Sequence, residues 1–405
     1  MTGKEDFVLV LGAGLTGQSI GRYLENKENF FFFDTRKLGD LPKNFLANKS
    51  YSSKLIEEKN IRYKNISEII CSPGFNKKHL ILKKAKENKI PISSDIEIFT
   101  KKDNSIKIII TGTNGKTTVS KMIEHVLNEN GFLAKAIGNI GNPALDYLNR
   151  GLDYSILEVS SFQIEISSDL ESDIAVVLNI SVDHLDKHDS FNEYAGLKNS
   201  IFKKAKKTIG SKSDKFISDK LDIYFEDEEI EIDDKNFNAV KTVIDSLKLT
   251  IDLKKSLKNF KKPAHRFEIF FKDSLGNIFI NDSKATNIGA CMEAVKTASK
   301  FGEINILCGG DGKGTDFSEF SSFLNNNCKN IILFGKDKDL IKKNIAKEKC
   351  FLVNDFKDAV LKASELISSN EVLLLSPGCA SFDAFLNYEE RGDFFKKIIL
   401  GEKNH

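Results

Sequence analysis

The sequence predicts an α/β fold of three domains, each a largely parallel sheet with flanking helices. Three observations carry this. Apolar runs rich in Ile, Val, Leu and Phe alternate with amphipathic stretches, the rhythm of βαβ units. Nearly every run ends in Gly, Asp or Ser, the residues that turn a chain at a strand end. At 405 residues the chain is also too long for one ordinary domain.

Taken in order, the first block spans residues near 1–93. It contains "FVLVLG", "FFFFD" and "EIICSPG", with an amphipathic stretch from Gln18 to Asn26, and closes near "IPISSDIEIF". The second, near 94–262, opens at "IKIIITGTNGKTT" and continues through "YSILEVSSFQ" and "IAVVLNISVDH". From about Ser211 to Asp234 it is charged and poor in apolar residues, and no elements are assigned there. "FKKPAHRFE", with Pro263 beside a lysine cluster, reads as a linker. The third, 263–405, carries "NIFIND", "EINILCGGDG", "KNIILFGKD" and "EVLLLSPG".

Composition narrows the class. Apolar residues at 40% and charged residues at 29% describe a globular chain rather than a disordered or membrane one. The net charge is only +2, and Glu and Asp are interspersed around lysine-dense pieces such as "KKHLILKKAKENK" and "KKSLKNFKKP". These are therefore read as solvated faces, with no nucleic-acid partner. Six scattered cysteines without a C-x-x-C pair suit reduced thiols. "FVLVLGAGL" is too short and too glycine-broken for a membrane span and lacks a small-residue cleavage site, so a cytoplasmic protein without a membrane partner is expected.

Two glycine-rich turns carry the chemistry. In "TGTNGKTT", Gly112 and Gly115 let successive N–H groups of residues 112–118 face inward, and the helix that follows adds its positive end, so an anion fits. Lys116 can reach terminal phosphates and the Thr117 hydroxyl can ligate Mg²⁺. The usual P-loop glycine five positions before Gly115 is replaced by Ile110, which leaves the tighter G-x-x-G-K-T. Glu158 closes the next strand, where a carboxylate can reach a metal beside such a loop. Asp183 and His184 follow a further strand. His184 and His188 stand four apart, but no third zinc ligand accompanies them, so a single imidazole on magnesium or substrate is the reading. Composition alone makes Lys198 one more surface lysine.

In the first block, Gly12, Gly14 and Gly17 have G-x-G-x-x-G spacing, and Asp34 lies 20 positions after Gly14 at a strand end. Alone, these support a nicotinamide-dependent oxidoreductase, with Asp34 on a ribose hydroxyl. Thr35 and Arg36 follow at once, and an arginine there favours a phosphate-bearing ligand. A P-loop switch that only hydrolyses nucleotide is the other alternative.

The chain resembles the Mur ligases. The resemblance rests on "LGAGLTG", "DTR", "SPG", "SSDIEIF", "TGTNGKTT", "GNIGNPAL", "LEVSSFQIE", "LNISVDHLDKH", "YAGLKNSIF", "PAHRFE", "INDSKATN", "GGDGKGTDF" and "SPGCASFDAFLNYEERG", in family order over nearly the whole chain. It implies a Rossmann-like N-terminal domain for a UDP-sugar, a P-loop ATPase-like central domain and a Rossmann-like C-terminal domain that closes over the site. The implied reaction is ATP-dependent joining of D-glutamate to UDP-N-acetylmuramoyl-L-alanine through an acyl phosphate, in the cytoplasmic stage of peptidoglycan synthesis. The D-N-P-R signature of diamino-acid addition is missing.

Leu15, Thr16, Asp34, Thr35, Arg36, Gly74, Asn139 and His184 match UDP-substrate contacts. Gly112, Thr113, Asn114, Gly115, Lys116, Thr117, Thr118, Asn238, Arg266 and Asp282 match ATP contacts. Lys313, Thr315, Lys336, Ser381 and Tyr388 match the D-glutamate region. Lys116, Glu158, His184 and Lys198 match the catalytic set. The implied metal ligands are Thr117, Glu158, His184 and Lys198, for two Mg²⁺, with Lys198 carbamylated by CO₂. The family's H-N-x-x-N adenine motif is reduced here to Asp234-Lys235-x-x-Asn238. A monomer is expected.

Overall fold

The structure is a computed structural model that describes residues 6–183, 188–226 and 236–402. Asp234, Lys235 and His184 therefore lie outside the described residues. The chain divides into two compact units, Met1–Ile180 with Asn192–Phe260, and Ser181–Phe191 with Lys261–His405.

The first unit holds two sheets. One contains β1 (Phe7–Leu11), β2 (Phe30–Phe33), β3 (Ile66–Cys71) and β4 (Ile92–Ser94), all parallel in the order β2-β1-β3-β4. Every residue of β1 is buried, as expected of a parallel strand covered on both faces. The helix Leu15–Leu24 starts directly after the first glycine turn. A Cβ on Gly17 would sit 1.9 Å from the carbonyl oxygen of Gly12, so only glycine lets this helix lie so close to the turn.

The second sheet contains β5 (Ile106–Thr111), β6 (Ala134–Gly138), β7 (Tyr154–Glu158), β8 (Ser172–Val177), β9 (Ala205–Ser211) and β10 (Ile223–Phe225). All are parallel, in the order β10-β9-β8-β5-β7-β6. From β5 the chain runs through the helix Lys116–Glu129 to β6 on one side, and later to β8 on the other. The carboxyl end of β5 is thus a topological switch point, the place where open α/β sheets bind ligands. Ile108, Ile110, Val119, Ile123 and Val126 pack strand against helix below it.

The second unit holds one sheet of β11 (Glu268–Lys272), β12 (Ile278–Asn281), β13 (Glu303–Gly309), β14 (Asn330–Phe334), β15 (Cys350–Leu352) and β16 (Glu371–Leu375). Its order is β11-β12-β16-β13-β14-β15, parallel except for the β11–β12 hairpin at one edge. Apolar clusters around Ile306 and Phe320 and around Leu307 and Phe395 cover its two faces. The charged segment without assigned elements contains β10, only three residues long and at a sheet edge.

Within the first unit, the chain leaves β4 through the helix Asp95–Lys102, whose first turn is N-capped by the Ser94 hydroxyl accepting from Glu97 N–H at 3.0 Å. Asp95 is 1% exposed, and its Oδ1 has no hydrogen-bond partner among the described residues. Burial pushes its carboxyl up to about 7, partly offset by the backbone N–H groups of Ile96 and Asp95. Between the ordinary value and about 7 the folded state holds this proton more tightly than the unfolded chain. Stability should therefore fall as pH rises through that window. Asp95→Asn should be more stable than the parent at about pH 8, by at most about 4 kcal/mol, with the gap closing towards about pH 4. Urea unfolding at both ends of that range measures it, and a gap independent of pH would remove Asp95 as its source.

Candidate active site

Gly112 to Gly115 leave β5 as a tight loop, and Gly115, at φ +83°, hands the chain to the helix Lys116–Glu129. Asn179, just past the end of β8, clasps the loop. Its carbonyl accepts from Thr113 N–H at 2.8 Å, its Oδ1 from Asn114 N–H at 2.8 Å, and its Nδ2 donates to the Asn114 carbonyl at 3.1 Å. The Lys116 ammonium donates to the carbonyls of Gly112 (2.7 Å) and Thr113 (2.8 Å). Lys198 is no surface lysine. It is 1% exposed, and its ammonium donates to the same Gly112 carbonyl at 2.9 Å while lying 4.6 Å from the centre of the Tyr194 ring. Tyr194 in turn meets the Thr113 hydroxyl at 3.2 Å. Thr117 is half-buried and Thr118 buried in the first helical turn. Asn238 lies in the helix Phe237–Ser246 and donates to the Glu226 carbonyl at 2.8 Å.

Glu158 ends β7 and is 1% exposed. Its Oε1 accepts from Asn139 Nδ2 at 2.8 Å, and its carbonyl from Asn139 N–H at 2.9 Å. Oε2 is buried with no partner among the described residues. A buried carboxylate oxygen without a partner is costly, and a cation, a proton or a water molecule relieves it. Oxygen donors of this kind suit Mg²⁺, which Glu158 and the Thr117 hydroxyl would hold.

Leu15, Thr16, Asp34, Thr35, Arg36 and Gly74 follow the carboxyl ends of β1, β2 and β3. Asp34 Oδ2 accepts from Ala13 N–H and Arg36 Nη2, both at 2.7 Å, and Oδ1 from Arg36 N–H and Nε, both at 2.9 Å. Burial acts to raise this carboxyl, but the bonds from Arg36 and Ala13 outweigh it and hold it below the usual carboxylate range. The motif reading passed over Ser72. Its hydroxyl is buried at the end of β3, has no partner among the described residues, and lies 3.0 Å from where a Cβ on Gly12 would be.

In the second unit, Asp282 is buried at the end of β12, accepting from the Ser376 hydroxyl (2.9 Å) and Phe267 N–H (3.0 Å). Burial pushes its carboxyl up to about 7, against the pull of these bonds and of the Arg266 and Arg391 charges. Asp311 gathers the other strand ends. Its Oδ1 accepts from Lys313 N–H at 2.9 Å and its Oδ2 from Lys336 Nζ at 3.2 Å, while its backbone pairs with that of Ala380, next to buried Ser381. Thr315 closes the same turn on the Gly312 carbonyl. Tyr388 lies under Lys284, whose ammonium is 3.9 Å from the ring centre. Buried Arg391 bonds Ser283 through Oγ (3.0 Å) and O (2.9 Å) and the Cys379 carbonyl (3.2 Å), so it stitches two of these loops together. Asp311, Lys284 and Arg391 were missed because each lies one to three residues outside the part of its motif that attracts notice.

The Mur ligase middle domain family matches residues 110–272, and the family described as Mur ligase, glutamate ligase domain matches residues 265–379. The chain is 35% identical to the UDP-N-acetylmuramoylalanine--D-glutamate ligase of Buchnera aphidicola subsp. Schizaphis graminum, over 96% of this chain and 97% of that one. It is 34% identical to the ligase of the same name from Francisella philomiragia, over 97% and 96%. Among solved structures, UDP-N-acetylmuramate-alanine ligase MurC from Thermotoga maritima matches with a TM-score of 0.62 and 15% identity, over 98% of this chain and 99% of that one. MurF ligase from Thermotoga maritima in complex with ADP matches with a TM-score of 0.62 and 16% identity, over 99% and 96%. These two structural matches speak for the three-sheet architecture alone.

At Gly115 an added Cβ would lie 2.7 Å from Asn236 Oδ1, in a left-handed conformation that side chains disfavour. Gly115→Ala should cost about 1–2 kcal/mol in unfolding free energy from the backbone alone and push Asn236 aside. Denaturant unfolding of the two proteins measures the loss, and equal stabilities would contradict this loop geometry.

Proposed function

Because the chain belongs to the Mur ligase family, we propose that it is an ATP-dependent ligase joining D-glutamate to the alanyl carboxylate of UDP-N-acetylmuramoyl-L-alanine. The observation that carries this reading is the meeting of Lys116 and Lys198 on the Gly112 carbonyl, in the same parallel sheet that ends β7 on Glu158, whose Oε2 has no partner among the described residues. The near-full-length relatives that bear the D-glutamate ligase name supply the substrate. The working division is 1–93 for the UDP-substrate, 94–262 for ATP and 263–405 for the amino acid.

A carboxylate is a poor acyl donor because its leaving group would be oxide. Transfer of the γ-phosphoryl group of ATP to that oxygen gives an acyl phosphate. The D-glutamate amine attacks its carbonyl carbon, the amide C–N bond forms, and inorganic phosphate leaves. The chain's part is positioning and charge neutralisation. The phosphate loop and its helix N-terminus receive the phosphates, and Lys116 turns from the loop carbonyls to the terminal phosphate. Thr113, Asn114, Thr118, Asn238, Arg266 and Asp282 complete the ATP set. Leu15, Thr16, Asp34, Thr35, Arg36, Gly74 and Asn139 receive the UDP-substrate. The Arg36 guanidinium supports a phosphate-bearing ligand there over a nicotinamide dinucleotide. Lys313, Lys336 and Ser381, with Thr315 and Tyr388 beside them, offer cationic and hydroxyl donors for the two carboxylates of D-glutamate.

Glu158, Thr117, His184 and a carbamylated Lys198 would hold two Mg²⁺, which when bound neutralise charge on the transferring phosphoryl group. Two ammonium groups on one carbonyl repel each other, and this supports conversion of Lys198. Its neutral amine adds to the carbon of CO₂, a C–N bond forms, one proton leaves, and a cation becomes a carboxylate. No helix among the described residues is long and apolar enough to cross a membrane. A cytoplasmic monomer is the proposed state.

Two experiments test this. Incubation with UDP-N-acetylmuramoyl-L-alanine, Mg²⁺-ATP and, separately, D-glutamate, L-glutamate, L-alanine or a diamino acid should give a conjugate by mass fastest with D-glutamate. Faster conjugation of any of the other three overturns the assignment. Lys198→Ala should lose ~100-fold or more in rate and regain part of it with a small added carboxylate. Full activity without rescue would return Lys198 to a packing role.

A further inference from the structure

The loop that follows β3 carries Gly74 and is held from two sides. On one side, Phe75 and His79 pack on the ring of Phe33, with centroids 6.1 and 5.7 Å away, and Phe33 directly precedes Asp34. On the other, Lys77 reaches away from its own sheet to the Glu165 carboxylate on the helix Ser161–Ile166, and its Nζ lies 3.8 Å from Glu193 Oε1 on the helix Phe191–Asn199. That second helix is the one whose Tyr194 and Lys198 touch the phosphate loop. Between the two helices lies a cavity of about 350 Å³, lined by Ile164, Glu165, Leu170, Glu193 and Leu197 among others. Lys77 bears on Glu165 and Glu193, two of the residues that line it, one from each helix. The Lys77 and Glu165 side chains are 27% and 16% exposed, partly shielded from water and salt.

We propose that Lys77 is a positioning residue, an ionic latch that ties the Gly74 loop to the helix carrying Tyr194 and Lys198. Affinity at the first sheet then depends on a residue that does not touch the ligand. This rests on the reading of that loop as part of the UDP-substrate site. The latch orders the loop before binding, so the entropy of ordering it is not charged against the substrate. It also gives the first sheet a mechanical connection to the phosphate loop through one helix, all within one compact unit.

The test uses Lys77→Met and the charge exchange Lys77→Glu with Glu165→Lys in the full-length protein. Lys77→Met should raise the KM for UDP-N-acetylmuramoyl-L-alanine about tenfold, the size of a partly shielded ion pair, and leave the KM for ATP within about twofold. In the ligand-free protein, amide hydrogen exchange should quicken in residues 72–79 and 191–199. The exchanged pair should restore both. If Lys77 touches the substrate itself, the exchanged pair stays defective, and the latch is overturned. Equal rises in KM for every substrate, or unchanged hydrogen exchange in Lys77→Met, overturn it too. Should the parent not use the UDP-substrate at all, the functional reading fails, while the exchange rates still decide whether the latch exists.

Discussion

Two lysine ammonium groups share one peptide carbonyl, that of Gly112, and much of the central site follows from that arrangement. For both to arrive there, β5 must end in a loop tight enough to turn its carbonyl outward, and the helix carrying Lys198 must lie against that loop through Tyr194. Asn179, from the neighbouring strand end, holds the loop in shape with three hydrogen bonds. The carbonyls of Gly112 and Thr113 accept from these ammonium groups. An ionised acceptor bonds an ammonium about twice as strongly as a neutral one, so under the proposed function a phosphate is the stronger partner for Lys116.

Burial of polar groups at strand ends repeats in each sheet. Ser72 and Asp95 end or follow strands of the first, Glu158 ends one of the second, and Asp282 follows one of the third, all nearly inaccessible to water. Ser72, Asp95 and Glu158 each keep a polar atom without a partner among the described residues, while Asp282 is fully engaged by Ser376 and Phe267. Parallel sheets make this pattern possible. Their strands are covered on both faces, so the polar residues collect at the carboxyl edge, where helices begin and amide groups are available. A bare buried oxygen lowers stability, and it persists where a ligand or proton can occupy it.

The second unit solves a different problem, that of holding several cations near one another without collapse. Asp311 takes the Lys313 backbone and the Lys336 ammonium on separate oxygens, and hydrogen bonds of Lys313 and Lys336 hold its carboxyl below the usual range despite partial burial. Arg391, fully buried, spends its guanidinium on Ser283 and the Cys379 carbonyl instead of a carboxylate, and burial lowers it to about 10. Through these bonds Arg391 ties the loop after β12 to the loop after β16.

Local signals by themselves determined the three largely parallel sheets and both glycine-rich turns. An apolar run of five to seven residues, as in β1, β5 or β13, is legible because its burial on both faces is written residue by residue, and a glycine is legible because it is needed where the backbone alone leaves no room. The edge strands β10, β11 and β15 were not, since three to five residues at a sheet edge need little apolar surface and show no period. The family motifs picked out Lys116, Glu158 and Lys198, while His184 lies outside the described residues. Only the tertiary structure decided that Lys198 is buried on Gly112 rather than solvated, that one Glu158 oxygen has no partner among the described residues, and that Asp311, Arg391 and Lys77 meet residues far from them in sequence. The reason is physical. Periodicity and turn chemistry act over a few neighbours, whereas the partner of a charged side chain is chosen by whatever the fold brings within about 3 Å of it.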